Sequence, residues 1–317
     1  MTHSPNCEDF ELDLKQIVDA VRKYDAAREE NSDRTIIYTM EPAGFVFHES
    51  RCGSTLAANS LAAMNPEAHR VYSESSPPIS AAKACGLDGK DCPDGRAVEL
   101  LRDVIYLMGR TNDVHEKRLF FKIQSIGTKY LPVFLEAFPD TPWIFVYREP
   151  VQIMMSQFAQ GIERANCVHQ LKDVPKYRID AMKDDKKELD LLTPVEKCAM
   201  HLSLLCESAM QGLFESSMVG RPVNYENLVQ NLIAHVIPDH FKITMTNEGE
   251  ENILKVGSQY SKGRGTRHKE WKEDSIEKDR LATPEIREAS KYFLQELYEK
   301  MEEERQNEYY GLVNDND

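Results

Sequence analysis

Apolar residues recur along this chain in two rhythms. From residue 9 to 30 they fall at helical spacing, with Leu12, Ile17, Val18 and Val21 on one face, until the polar stretch 31–34 breaks the pattern. The run Ala43-Gly-Phe-Val-Phe47 is short and continuously apolar, as a strand buried on both faces requires. A polar turn, His48 to Thr55, follows it, and then an Ala/Leu-rich helix from Leu56 to Met64 that stops at Asn65-Pro66. The same sequence of strand, turn and helix recurs. Leu119-Phe-Phe-Lys-Ile123 predicts a strand ahead of a helix over Tyr130 to Phe138. Trp143-Ile-Phe-Val-Tyr147 predicts another ahead of a helix that opens at Pro150, where proline suits the first helical position. A long helix is expected over Pro194 to Phe214, a fourth strand over Pro222 to Tyr225, and a C-terminal helix from Pro284 to about Glu304.

Strands that alternate with helices imply an α/β fold of three layers, α/β/α, with a central parallel sheet. The motifs below make it the nucleotide-binding type with a phosphate-binding loop. Segments 1–34 and 284–306 supply additional helices at the two ends. Two stretches fit this plan poorly. Ser73 to Gly95 is rich in Ser, Pro, Gly and Asp, and Glu163 to Leu192 is dense in charge. Both read either as solvated surface or as a lid, and 163–192 is the candidate for an insertion.

Composition narrows the choices. Hydrophobic residues make up 41 % of the 317, enough for a packed core. The length fits one large α/β domain, which we expect to span 1–317, or two smaller ones. Lys plus Arg number 39 against 53 Asp plus Glu, a net charge of −14. That balance argues against a nucleic-acid partner, while leaving room for a small anion held by a few convergent cations. The seven cysteines form no CxxC pair, so free thiols in a reducing compartment are expected. The first residues resemble no secretory signal, and no apolar run is long enough to span a bilayer. These features predict a soluble, cytoplasmic protein with no membrane partner.

The sharpest chemical signal is Phe45-Val-Phe-His-Glu-Ser-Arg-Cys-Gly-Ser-Thr-Leu56. A buried strand runs through a one-glycine turn into a helix. Amides at such a helix start lack intrahelical partners, and the helix dipole favours an anion there. Arg51 adds a cation, and Ser54 and Thr55 add hydroxyls. The Lys-Ser/Thr pair of an ATP-binding loop is absent, which disfavours an ordinary kinase or GTPase. An ordinary βα turn with a Ser/Thr cap is the plain alternative. A second signal places Arg148 at the end of the Trp143–Tyr147 strand, where ligands of parallel sheets bind, with Ser156 eight residues on. Together they suit one phosphate, the arginine forking onto two oxygens. The alternative is a surface arginine paired with Glu149.

In combination these residues resemble the sulfotransferase family that uses 3′-phosphoadenosine 5′-phosphosulfate. Ser50-Arg51-Cys52-Gly53-Ser54-Thr55 is similar to that family's phosphosulfate loop. Tyr147-Arg148-Glu149-Pro150 with Ser156 is similar to its 3′-phosphate strand and helix. Ser261-Lys262-Gly263-Arg264-Gly265 before Trp271-Lys272 is similar to its C-terminal loop. The resemblance covers about residues 43–272 and lies nearer to microbial members. It implies that Arg51, Cys52, Gly53, Ser54, Thr55 and Leu56 hold the 5′-phosphate, with Arg51 beside the bridging oxygen. It implies that Arg148 and Ser156 hold the 3′-phosphate under Lys262, Gly263 and Arg264. The implied reaction is in-line sulfuryl transfer to a hydroxyl or amine, without a metal.

The family resemblance is weakest at the base. Many cytosolic members carry a histidine two residues after a strand-end lysine; here Lys122 is present and Gln124 stands in the histidine's place. Other branches use a glutamate about twenty residues after the first loop, and Glu74 lies 23 residues after Arg51. The resemblance therefore points to Glu74 as base, with Lys122 stabilising the transferring group, or alternatively to a non-catalytic phosphonucleotide sensor or scaffold. The acceptor, a small molecule or a saccharide, is expected to meet 73–95 and 163–192. His48 reads as structural, and Tyr225 as either core or adenine contact.

Overall fold

The computed structural model describes residues 13–30, 37–86, 95–172, 174–185, 187–216, 219–258 and 275–314. Its centre is a five-stranded, all-parallel sheet in the order β3-β5-β2-β6-β7. The strands are β2 (Pro42–His48), β3 (His69–Ser73), β5 (Arg118–Lys122), β6 (Trp143–Tyr147) and β7 (Gly220–Asn224). Two-residue strands β1 (Tyr38–Thr39) and β4 (Arg110–Thr111) pair separately, antiparallel.

Helices cover both faces. In chain order they are α1 (Leu14–Glu30), α2 (Ser54–Met64), α3 (Ser76–Ala82), α4 (Arg96–Gly109), α5 (Leu131–Ala137), α6 (Pro150–Gln157) and α7 (Asn166–His169). Then come α8 (Lys176–Asp184), α9 (Pro194–Glu215), α10 (Leu228–Asn231), α11 (Asn247–Gly257), α12 (Ser275–Leu281), α13 (Pro284–Phe293) and α14 (Gln295–Asn314).

The alternation of β2 divides the core. Val46, with Ile144 and Val146 of β6, packs against α2, α9, α11 and α13. Phe45 and Phe47 point to the opposite face, where they meet Phe134 and Trp143 edge-on beside α4 and α5. Both faces of β2 and β6 are buried, which is why their sequences read as unbroken apolar runs. Helix starts follow local chemistry. Glu149 accepts from the amides of Val151 and Gln152 at the head of α6, and Thr193 and Glu196 form a capping box at the head of α9.

Several elements depart from the sequence reading. Ser73 to Gly95 is not wholly loop: Ser73 ends β3, and α3 follows it. The C-terminal helix is two helices that meet at Leu294, whose buried side chain anchors the break. Within 163–192 the chain forms α7 and α8, and Cys167 of α7 is disulfide-bonded to Cys198 of α9 with Cα atoms 4.6 Å apart. Cys85 is also disulfide-bonded. The expectation of free thiols therefore fails at Cys85, Cys167 and Cys198, and with it the step from free thiols to a reducing compartment. The physical reason at 167 and 198 is tertiary: α7 packs on α9 and brings two distant cysteines within bonding range. No helix among the described residues is long and apolar enough to cross a membrane.

The Cys167–Cys198 bond closes a loop of 31 residues. Such closure stabilises a fold by about 3–4 kcal/mol in the chain-entropy account. Cys198→Ser should lower the unfolding free energy by up to that amount in denaturant titrations without reductant, and reductant, which also opens the bond at Cys85, should bring the parent protein down at least as far. Equal stability of the two proteins would show that the bond constrains nothing.

Candidate active site

All five parallel strands deliver a polar side chain to the same sheet edge. In spatial order they are Glu74 after β3, Lys122 ending β5, His48 ending β2, Arg148 after β6 and Tyr225 after β7. Carboxyl ends of parallel strands are where such sheets bind ligands.

The turn between β2 and α2 is conformationally costly. Ser50, Arg51 and Gly53 have φ of 73°, 54° and 92°. Left-handed backbone at two non-glycine residues stores strain of a kind that clusters at functional sites. Gly53 is required on a second count: a Cβ there would sit 2.4 Å from the Tyr225 ring. The result is a tight loop whose Arg51, Gly53 and Thr55 amides meet no protein acceptor among the described residues. Leu56 and Ala57 bond back to the Gly53 carbonyl and start the helix. The Arg51 Nε is buried, and it too has no hydrogen-bond partner among the described residues. Unpaired donors at a helix start form a cradle for an anion. Ser54 is buried and Thr55 half-buried at its rim.

Glu49 holds this loop from beneath. Its fully buried carboxyl accepts from the Arg148 amide at 2.6 Å and from the Cys206 thiol at 3.3 Å. Burial pushes that carboxyl up to about 8, against the pull of the Arg148 amide and the Cys206 thiol. Burial likewise raises the Cys52 thiol to about 12, and Cys52 donates to the Val146 carbonyl. Cys52 is thus an inert packing group under the loop rather than a nucleophile.

On one side of the loop lies a cavity of about 660 Å³, lined by Leu56, Arg148, Gln152, Asn224, Tyr225 and Tyr298 among others. Arg148 is buried, not superficial. Its guanidinium lies 4.2 Å over the Tyr225 ring and its Nε donates to Gln152. Glu149 caps α6 instead of pairing with it. Ser156 is buried and donates to the Gln152 carbonyl, so Arg148 and Ser156 meet at one residue, although Ser156 does not line the cavity. Helix α14 closes the far side: Tyr147 and Asn224 donate to Glu302, and Asn224 donates also to Tyr298.

On the other side lies a smaller cavity of about 200 Å³, with Ser50, Glu74, Gln124 and His201 in its wall. Lys122, itself buried, donates to the Glu74 carboxylate, and His48 Nε2 lies 3.6 Å from the same oxygen. His48 Nδ1 accepts from the Ser50 amide, so this histidine both shapes the loop and faces Glu74. Gln124 donates to the Glu74 main-chain carbonyl at 3.0 Å. Glu74 has φ of 57°, and about half of its side chain is open to solvent.

The structure thus gathers Arg51 to Leu56, Arg148 and Tyr225 on one side and Glu74, Lys122 and Gln124 on the other. Lys262, Gly263 and Arg264, with Trp271-Lys272, lie outside the described residues. Glu49 and His201 escaped the sequence reading. Glu49 carries no local signal. His201 does, because it falls on the buried stripe that Cys198, Leu202 and Leu205 mark on α9. Among the described residues no group of three or more His, Cys, Asp or Glu side chains is placed to hold a metal ion.

No family model and no curated relative matches the chain. Solved structures similar to it include a sulfotransferase from Alicyclobacillus acidocaldarius, 11 % identical over 84 % of this chain and 96 % of that one, with a TM-score of 0.43. A sulfotransferase domain from the curacin biosynthetic pathway is 14 % identical over 72 % and 82 %, with a TM-score of 0.42. Sulfotransferase STF9 from Mycobacterium avium is 13 % identical over 74 % and 71 %, with a TM-score of 0.40.

The buried Glu49 sets a pH dependence. Between its ordinary value of 4.5 and about 8, the folded protein holds a proton that the unfolded chain releases. Stability from this group therefore falls as pH rises through that window, by up to about 1.4 kcal/mol per unit. Glu49→Gln keeps an acceptor for the Arg148 amide and removes the titration. Relative to the parent it should gain stability from about pH 5 to about pH 8 in urea titrations. A constant difference across that range would refute the assignment.

Proposed function

We propose that this protein is a sulfotransferase, transferring a sulfuryl group from 3′-phosphoadenosine 5′-phosphosulfate to an acceptor hydroxyl or amine. The carrying observation is the strained Ser50–Gly53 loop, whose Arg51, Gly53 and Thr55 amides and Arg51 Nε have no protein partner among the described residues, set between two cavities of unequal size. The three motifs in family order support the reading, and so does the chemistry of the donors. The larger cavity suits a nucleotide: Tyr225 offers a ring, and Arg148, pinned by Gln152 and Tyr225, offers a preoriented fork for a terminal phosphate.

The nucleotide would supply an activated sulfuryl group on its 5′-phosphate. The amides of the loop and Arg51 would hold that phosphate and offset the charge that grows on it as the sulfur–oxygen bond breaks. Arg148, with Ser156 near the far end of α6, would hold the 3′-phosphate, under Lys262, Gly263 and Arg264. Glu74 would take the proton of the acceptor as its oxygen or nitrogen bonds to sulfur. Lys122, against Glu74, would stabilise the equatorial sulfuryl oxygens. Positioning and charge carry such transfers, as they do phosphoryl transfer. Gln124 in the histidine's place is the one feature that favours the alternative, a phosphonucleotide sensor or scaffold without turnover.

Calorimetric titration with 3′-phosphoadenosine 5′-phosphate tests the nucleotide. Binding should exceed that of AMP and of ATP–magnesium, and Arg148→Ala should weaken it roughly 10- to 150-fold, the loss of about 1.5–3 kcal/mol. Preference for ATP–magnesium would refute the proposal. Glu74→Gln should keep nucleotide affinity and reduce turnover at least about a hundredfold. Undiminished turnover in that variant would remove Glu74 from the base role.

A further inference from the structure

The smaller cavity has a composition of its own. Four side-chain amides line it: Gln124 after β5, Gln157 at the end of α6, Asn166 in α7 and Gln170 just after α7. Ser50 and Ser125 are also in its wall, and among the described residues Ile126 and Leu202 are its aliphatic side chains. Each amide carries two donors and an acceptor with two lone pairs. Gln124 spends one donor on the Glu74 carbonyl and Gln157 one, at 3.5 Å, on the Ser50 carbonyl. Among the described residues these four amides make no other side-chain hydrogen bond, which leaves that capacity to a ligand.

His201 completes the wall from α9. It is buried, and its Nδ1 has no hydrogen-bond partner among the described residues. The ring bonds to the main chain at Gln170, and with Nδ1 the unpartnered nitrogen this assigns the lone pair to Nδ1. Burial pushes the imidazole down to about 4, with Lys129 adding to the effect, so the ring is neutral at ordinary pH. A neutral ring locked in one tautomer is a fixed acceptor for an O–H group. The Cys167–Cys198 disulfide, with Cys167 itself in the wall, joins α7 to α9 and holds Asn166, Gln170 and His201 in one frame.

We infer that this cavity takes a small polyhydroxylated acceptor, a single sugar ring or a polyol, and that His201 is the residue that selects and orients it. The inference rests on the transferase reading for its consequence, delivery of one hydroxyl to Glu74, but not for the binding itself. Every hydroxyl both donates and accepts, so a polyol can satisfy amides, serine hydroxyls and the His201 lone pair together. An aryl alcohol would strip water from those groups and return one hydrogen bond, and sites built to bond hydroxyls reject such analogues strongly. The volume, about 200 Å³, has room for a single sugar ring.

Saturation-transfer NMR on the full-length protein, with glucose, galactose and myo-inositol against phenol and naphthol, tests this directly. At least one of the three polyols should bind, and the aryl alcohols should bind at least tenfold more weakly. His201→Phe should weaken polyol binding at least tenfold. His201→Asn, whose amide oxygen reaches the Nδ1 position, should restore it to within about threefold. Asn166→Leu, at an exposed position that tolerates change, should weaken it at least threefold. All three variants should bind 3′-phosphoadenosine 5′-phosphate as the parent does, and acceptor KM rather than kcat should carry the His201→Phe loss. Equal or better binding of phenol, no binding of any polyol, or indifference to both His201→Phe and Asn166→Leu would overturn the inference. Polyol binding that depends on His201 without any nucleotide binding would support it and refute the transferase reading instead.

Discussion

The hydrogen bond from the Arg148 amide to the buried Glu49 carboxyl ties the ends of the two central strands together, and both cavities hang from that tie. β2 and β6 are adjacent, so their last residues must leave the sheet side by side. Glu49 fixes the spacing at which they do so and sets the base of the strained loop. From there the loop can turn left-handed over Tyr225, and Arg148 can lie over the same ring. A carboxyl at that depth is costly to ionise, so the tie is made by a group whose neutral form the interior prefers. A stronger, charged anchor would have put a negative charge directly beneath a cradle of anion-seeking donors.

The two sides of the loop are built on opposite principles. The larger cavity combines aromatic surface with one preoriented cation, which suits a planar ring linked to an anion. The smaller is walled by amides, hydroxyls and one neutral imidazole, around the Glu74–Lys122 pair. The division follows from the sheet order: β6 and β7 feed the first and β3 and β5 feed the second, with β2 supplying the wall between them. In a chain of net charge −14, Arg51, Lys122 and Arg148 still stand together at one sheet edge, and local charge of this kind need not follow the overall balance.

How much of this could be read in advance depended on burial. β2 and β6 lie inside the sheet, so their apolar runs mark them almost residue for residue. β3 is an edge strand of mixed character, His-Arg-Val-Tyr-Ser, only partly buried, and it carries neither the continuous nor the alternating pattern of a strand. The loop and Arg148 were legible because their chemistry is local. Glu74 and Lys122 could be named separately, but their pairing spans 48 residues and is a product of strand order. The disulfide was misread for the same reason: nothing in a spacing of 31 announces that two helices will pack there. Glu49 stayed hidden because a glutamate in a polar turn looks solvated, whereas tertiary packing buries it.

The bond between Cys167 and Cys198 also bears on how the chain behaves when it is cut. The segment it encloses includes the most open apolar side chains of this region, Tyr177 and Leu191, at 60 % and 75 % exposure. A protease that nicks the backbone there produces two fragments that stay covalently joined across α7 and α9. They would migrate as one species until a thiol reagent separates them. The wall of the smaller cavity would keep its two halves in register through such a cut, so backbone continuity and site integrity are separable properties of this fold.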